Sequence, residues 1–102
     1  MSEIPPDTRL IPLLLEPTRL RIVATLLAAG EVDFAFVRDR VGLTDSAMSK
    51  QVKTLVESGL VTSRRERFGP ARRSWLRLST EGRAQVASHV GALRDIATRA
   101  EQ

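Results

Sequence analysis

Only Leu43 and Thr44 separate two stretches of helical hydrophobic pattern near the middle of this 102-residue chain. Each stretch repeats apolar residues at helical spacing, namely Phe34, Val37 and Val41 in the first and Met48, Val52 and Leu55 in the second. Asp33 and Thr44 are suited to cap the starts of the two helices, and Gly42 and Gly59 are placed to end them. The pattern predicts two short helices joined by a tight turn, which is a helix-turn-helix candidate.

A longer amphipathic helix is predicted before this pair. Pro17 stands at a favoured first helical position, and Gly30 is placed to close the helix. Its apolar face is predicted to comprise Leu20, Val23, Ala24 and Leu27, widened by Ile22 and Leu26. Residues 10–15 can form a short helix because Pro12 would lie in the first turn, where proline is tolerated. Residues 1–8 hold two prolines and few apolar side chains, and they are interpreted as a flexible arm.

After Gly59 the hydrophobic pattern changes from helical to alternating. Residues 60–68 are predicted to form a strand, and residues 69–71 (Gly-Pro-Ala) have the composition of a turn. Residues 75–79 alternate as a returning strand, after which Ser79 can cap a final helix over about residues 80–99. The expected fold is therefore mainly α with a small β-hairpin (α+β), in the order required by a winged helix-turn-helix.

Composition narrows the class of protein. Apolar residues make up 42% of the chain and charged residues 27%, which is ordinary for one soluble domain, here assigned to residues 9–102. No apolar run is long enough to span a membrane and no signal peptide is recognisable, so a cytoplasmic protein is expected. The chain has no cysteine, and His89 is its only histidine. Enzyme activity, a metal site and other cofactors are therefore not expected.

Excess positive charge is concentrated in residues 61–83. The whole chain has 16 basic and 12 acidic residues, whereas this stretch holds seven arginines against two glutamates. Such a cluster is typical of a protein that binds a polyanion, because guanidinium groups form bidentate hydrogen bonds with phosphates. The alternative is a solvated surface hairpin. Arg64 and Arg65 are adjacent on a strand and point in opposite directions, so at most one is expected to face DNA. The candidate contacts of the hairpin are Arg65, Arg67, Arg72 and Arg73.

The second helix of the helix-turn-helix has an outward face of small and polar residues. Its candidate DNA contacts are Ser46, Ala47, Ser49, Lys50, Gln51 and Lys53. Serine can bond phosphates or base edges, alanine can touch a thymine methyl, glutamine can pair with adenine, and lysine can reach guanine or phosphate. The alternative for this helix taken alone is a solvated polar face.

Three segments carry a family pattern: EPTRLRI at residues 16–22, LTDSAMSKQVKTLVESGLV at residues 43–61 and LSTEGR at residues 78–83. With the elements between them they cover roughly residues 9–98, and they resemble short, single-domain winged helix-turn-helix regulators of the MarR-like and ArsR-like kind. The resemblance implies a bacterial or archaeal transcription factor, usually a repressor, that binds double-stranded DNA. It also implies a homodimer whose recognition helices read the two halves of an inverted-repeat operator.

The sequence departs from several effector classes of those families. Metal-sensing ArsR-type members use cysteine or histidine–carboxylate clusters, and redox-sensing MarR-type members need a cysteine, so neither class of inducer is expected here. Many MarR-like proteins bind aromatic acids, but this chain is shorter and is expected to have little room for a pocket. No small-molecule effector is assigned.

The homodimer is expected to form through the terminal segments. The last helix repeats apolar residues at Val86, Val90, Leu93 and Ala97, and the N-terminal segment adds Leu10, Leu13 and Leu14. The alternative is that this helix packs only on its own core. His89 precedes the repeat residue Val90 and is expected at the surface or at the interface.

Two functions from different classes follow from these patterns. The leading one is a sequence-specific regulator that binds double-stranded DNA. The alternative is a winged-helix module that binds proteins and not DNA. The alternative predicts that Lys50, Lys53, Arg72 and Arg73 can be neutralised together without loss of DNA affinity.

Overall fold

The computed structural model of the protein describes residues 6–100, without the side chains of Pro6, Asp7 and Phe68. Its helices are α1 (Pro17–Ala29), α2 (Phe34–Val41), α3 (Asp45–Glu57) and α4 (Thr80–Ala100), and its strands are β1 (Val32–Asp33), β2 (Val61–Phe68) and β3 (Ala71–Leu78). Two short 3-10 helices, Pro6–Arg9 and Pro12–Leu15, precede α1. Of the arm expected at residues 1–8, the first five residues lie outside the described part. The α+β winged-helix architecture is confirmed.

The helix ends lie where the capping residues predict. The side chain of Asp33 accepts a hydrogen bond from the Ala35 amide at 2.8 Å, and that of Thr44 accepts one from the Ala47 amide at 3.1 Å. Gly42 ends α2 in the left-handed conformation, with φ 77°, which costs glycine little. Because the turn between α2 and α3 is this short, their relative orientation is closely fixed.

The hairpin is part of a three-stranded antiparallel sheet with strand order β1-β3-β2. The hairpin itself is as expected, with β3 beginning earlier than predicted, at Ala71. The strand β1 was not predicted, because two residues are too short to show an alternating pattern. It exists because Val32 pairs with Leu76 and Asp33 pairs with Trp75, and this pairing attaches the base of the hairpin to the start of α2.

The core lies between α1, the base of the sheet, α3 and the first half of α4. Its fully buried side chains include Leu14, Ile22, Val23, Leu26, Val37, Met48, Leu55, Leu76 and Val86. The predicted inward face of α1 needs correction, because Ala24 is exposed and Leu20 and Leu27 are only half-buried. The fully buried residues of α1 are Ile22, Val23 and Leu26, which belong to the core cluster.

The start of α4 is held tightly against the residues that precede β2. The hydroxyl of Ser79 donates to the Gly59 carbonyl at 2.7 Å and accepts from the Gly82 amide at 2.8 Å, so the predicted cap is confirmed. Gly82 approaches the Leu60 carbonyl so closely that a methyl group at this position would overlap it. This contact sets the angle at which α4 leaves the hairpin.

The N-terminal segment, residues 8–15, lies along α4. The Ile11 amide donates to Nδ1 of His89 at 2.9 Å, and Arg9 forms an ion pair with Asp95. His89 is fully buried, so its expected place at the surface or interface is corrected. Residues 94–100 of α4 are exposed, and the described chain is elongated, measuring 58 × 25 × 21 Å. Among the described residues, no helix combines the length and apolar character that a membrane crossing requires.

Candidate nucleic-acid interface

The exposed face of α3 carries most of the residues predicted to contact DNA. Ser46, Ser49, Lys50 and Lys53 are exposed, and Ala47 is half-buried. The opposite side of α3 is anchored by Met48 and Leu55, which are fully buried. This division leaves a small, polar helix face of the kind that fits a major groove.

Gln51 is oriented differently from its neighbours on α3. It is half-buried, and its side-chain oxygen accepts a hydrogen bond from Nη1 of Arg19 on α1 at 3.3 Å. The structure therefore directs Gln51 towards α1 and not towards the exposed face that Lys50 and Lys53 share. Helical spacing alone could not reveal this, because the partner lies 32 residues earlier in the chain.

The hairpin presents three arginines on one side near its tip. The register places Arg67 opposite Arg72 and Arg65 opposite Ser74. Directly paired residues, and residues two apart on one strand, project to the same face of a sheet, so these three arginines share a face. All three are exposed, and none forms an ion pair with another described residue. A face with this much uncompensated positive charge is suited to an anionic partner.

An open cleft of about 570 Å³ lies between α3 and the hairpin. Lys53 and Ser49 line it from α3, and Arg65, Arg72 and Arg73 line it from the hairpin. Arg73 also lies 3.9 Å from the carboxylate of Asp33, so part of its charge is compensated within the chain. The cleft thus brings Lys53 on α3 together with arginines of the hairpin.

Arg38 is a further cation at this cleft that the sequence analysis did not identify. It lies on α2 and binds the carboxylates of Asp39 at 2.9 Å and Asp45 at 2.6 Å. Its guanidinium holds the pKa of Asp39 below the ordinary value through a side-chain hydrogen bond. The pairing of Arg38 on α2 with Asp45 on α3 bridges the two helices across their turn. In the sequence, the only signal for this bridge is that Arg38 lies seven residues before Asp45, the acidic residue in the first turn of α3.

Arg64 occupies the other face of the hairpin. It pairs with Glu31 at 3.0 Å and Glu66 at 2.9 Å, and its guanidinium lies 5.9 Å from the centre of the Trp75 ring. The hydrogen bonds to Glu31 and Glu66 raise its pKa further above the ordinary arginine value. Arg64 thus links the base of the hairpin to the residues before β1, whereas its neighbour Arg65 lines the cleft.

The residues predicted for a dimer interface fall into two groups. Leu14 and Val86 are fully buried in the chain's own core, so their assignment to an interface is corrected: no surface is left for a partner. Leu10, Leu13, Val90 and Leu93 are half-buried, and Ala97 is exposed.

Ile96, which was not among the predicted residues, is 39% exposed and extends the apolar strip of Leu93 and Ala97. Its position three residues after Leu93 is the signal that could have included it.

A second open cleft, also of about 570 Å³, separates the N-terminal segment from the start of α4. Leu10, Ile11 and Leu13 line one side, and Ala84, Gln85 and Ser88 line the other. This cleft is open and does not form an enclosed pocket, so the expectation that the chain has little room for an effector stays a prediction.

Residues 18–97 match the family model described as the winged helix DNA-binding domain. No curated protein matches the chain in sequence. Among solved structures, the chain is similar to a transcriptional regulator homologue from Pyrococcus horikoshii OT3, with a TM-score of 0.80 and 19% identity over 88% of this chain and 89% of that one.

Two further solved structures are similar over most of this chain. The PcaV transcriptional regulator from Streptomyces coelicolor, solved in complex with its natural ligand, has a TM-score of 0.71 and 26% identity over 89% of this chain. A MarR family transcriptional regulator from Silicibacter pomeroyi DSS has a TM-score of 0.69 and 22% identity over 83% of this chain. The chain spans only 63% of PcaV and 56% of the S. pomeroyi protein. The expected resemblance to winged-helix regulators is confirmed.

Proposed function

Because the chain belongs to the winged helix DNA-binding domain family, we propose that it is a transcriptional regulator that binds double-stranded DNA in a sequence-specific manner. In this proposal α3 enters the major groove and the hairpin contacts the backbone beside it. The homodimer binds an inverted repeat and represses transcription by occupying its operator.

The observation that carries the proposal is the cleft between α3 and the hairpin. Lys53 on one side and Arg65 and Arg72 on the other converge on a single concave surface. A DNA backbone supplies regularly spaced phosphates, and each cation that meets one releases a counterion. The small exposed side chains of Ser46 and Ser49 allow the helix to approach base edges closely.

The homodimer is supported by the second half of α4. Leu93, Ile96 and Ala97 form an apolar strip on a helix whose last seven residues are exposed. A second copy of this strip would cover it, as in other paired helices with apolar seams. Two α3 helices related by a twofold axis would then read half-sites on the order of 34 Å apart.

A competition experiment tests the DNA-binding proposal. Fluorescence anisotropy would compare a duplex from the DNA around the protein's own coding region with a scrambled duplex of the same composition, at one fixed salt concentration. The proposal predicts at least about a thousandfold preference for one native fragment, which is typical of specific binders. Equal affinity for every native and scrambled duplex would contradict sequence-specific regulation.

The repressor part of the proposal needs a separate test. A reporter gene placed under the preferred fragment would be transcribed with and without the protein. Repression predicts lower transcript levels when the protein is present, because bound protein excludes polymerase from the overlapping site. Higher transcript levels would contradict repression while leaving DNA binding intact.

A further inference from the structure

Arg19 joins three parts of the fold through one side chain. It lies on α1, where Nε donates to the Leu13 carbonyl at 2.6 Å and Nη1 donates to the side-chain oxygen of Gln51 at 3.3 Å. Its guanidinium also lies 3.9 Å from the carboxylate of Glu16. Arg19 and Gln51 are both half-buried, so this contact is partly shielded from water.

This contact occupies the atom that Gln51 would need for reading a base. Glutamine recognises adenine in the major groove with two hydrogen bonds, one accepted by its oxygen and one donated by its amide nitrogen. In the structure the oxygen already accepts from Arg19. The oxygen could accept a second hydrogen bond, but the contact holds the half-buried side chain towards α1 and away from the face that Lys50 and Lys53 share, so pairing with adenine requires Gln51 to leave Arg19.

We propose that Arg19 and Gln51 act as a positioning pair that fixes the recognition helix α3 against the N-terminal segment, and that Gln51 does not read a base. The DNA part of this inference rests on the proposed function. Base reading then falls to Ser46, Ser49 and Lys50, which are exposed on α3.

The pair extends a chain of polar contacts to α4. Leu13, which accepts from Arg19, belongs to the same N-terminal segment in which the Ile11 amide donates to His89 and Arg9 pairs with Asp95. One short segment thus carries bonds to α4 on one side and, through Arg19, to α3 on the other. Loss of the pair should free α3 from this segment without removing any residue that faces DNA.

The first experiment uses the full chain without DNA. Arg19→Met, Gln51→Met and the double variant would be compared by amide hydrogen exchange in α3 and by chemical denaturation. The control is Arg21→Met, the same substitution at an exposed position two residues further along α1. It should show no coupling to Gln51→Met.

The positioning pair predicts that each single variant speeds exchange in α3 by about threefold or more, the scale of one lost hydrogen bond, and that the double variant adds little to Arg19→Met. The inference would be overturned if the effects of Arg19→Met and Gln51→Met on exchange and stability were fully additive, as the effects of Arg21→Met and Gln51→Met are expected to be. This outcome is independent of whether the protein binds DNA.

The second experiment uses the duplex that the wild-type protein prefers, with every base pair of one half-site substituted in turn. A positioning pair predicts that Gln51→Met and Arg19→Met weaken discrimination evenly across positions, with the same profile. Loss of discrimination at one A·T pair in Gln51→Met alone would overturn the inference and assign base reading to Gln51. If the wild-type protein prefers no duplex, the proposed function fails, and the first experiment still decides whether the pair exists.

Discussion

Arg67 and Arg72 lie directly opposite each other on β2 and β3, so two like charges face one another beside the tip of the hairpin. Like charges in this position destabilise a pair of strands in the absence of a partner. We therefore interpret the pair as part of the proposed DNA-binding surface and not as a contribution to folding.

Arg72→Gln should separate these two contributions. It removes one of the facing charges, so we expect the free energy of unfolding at low salt to stay unchanged or rise, by at most about 1 kcal/mol. Affinity for the preferred duplex should fall, because one phosphate contact is lost. Chemical denaturation and anisotropy measure the two effects. A clear loss of stability together with unchanged affinity would contradict this account.

The adjacent residues Arg64 and Arg65 should differ in their effect on salt dependence. Arg65→Gln removes a cation that lines the cleft, so the slope of log affinity against log salt should decrease by about 0.9. Arg64→Gln removes the contacts to Glu31 and Glu66, so affinity should decrease while the slope stays the same. Equal changes of slope in the two variants would show that Arg64 also contacts phosphate.

Two glycines on α4 should respond oppositely to alanine. A methyl group at Gly82 would overlap the Leu60 carbonyl and lie 2.8 Å from the Ser79 hydroxyl, so Gly82→Ala should destabilise the fold by about 1–3 kcal/mol or more. The matched control, Gly91→Ala, meets only the flexible end of Arg9 at 3.5 Å, an ordinary contact distance. It should stabilise the helix by up to about 1 kcal/mol. Thermal denaturation of both variants checks the difference, and equal shifts would contradict the packing at Gly82.

The stability of the protein should depend on pH through His89. Burial lowers the pKa of this imidazole below its ordinary value of 6.5, and Nδ1 can accept from the Ile11 amide only while it is unprotonated. The stabilising contribution is therefore complete above about pH 6.5 and is lost as the pH falls from there through the lowered pKa of the folded state.

His89→Gln tests this dependence. The glutamine oxygen can still accept a hydrogen bond, but it does not titrate. Between pH 7 and pH 5, wild-type protein should lose stability more steeply than the variant in urea denaturation series. Parallel curves for the two proteins would show that His89 does not titrate in this range.

The apolar strip on the second half of α4 should control the oligomeric state. Ile96→Glu places a charge beside Leu93 and Ala97, so the mass measured by light scattering should fall from that of a dimer to that of a monomer. Thr98→Glu is the control, because position 98 lies roughly 140° around the helix from Leu93. A dimeric mass for Ile96→Glu, or a monomeric mass for the wild type at tens of micromolar, would contradict the proposed interface.

Features with local causes could be predicted from the sequence. The caps at Asp33, Thr44 and Ser79 are correct because a capping side chain binds an amide two or three residues away. Features with distant causes could not. The strand β1 depends on pairing between Val32 and Leu76, which are more than forty residues apart.

The same distinction explains the errors at the candidate interfaces. Heptad-like spacing places Val86 and Ala97 on one side of α4 but does not show that the chain's own core covers the first and leaves the second exposed. Likewise, a polar residue that helical spacing places on the outward face, such as Gln51, can form a hydrogen bond with a residue of another helix. In both cases the deciding contact comes from residues that are distant in sequence, Arg19 for Gln51 and the core side chains of other elements for Val86, and no short sequence window contains them.

The most direct test of the central claim, that α3 and the hairpin form one DNA-binding surface, is a salt series of DNA affinities. Wild-type protein would be compared with a variant in which Lys50, Lys53, Arg72 and Arg73 are all replaced by glutamine, with folding verified by circular dichroism. The loss of up to four phosphate contacts, of which that of Arg73 is weakened by Asp33, predicts a slope lower by at most about 3.6 and much weaker binding at every salt concentration. An unchanged affinity and slope would contradict the claim and favour a winged-helix module that binds proteins.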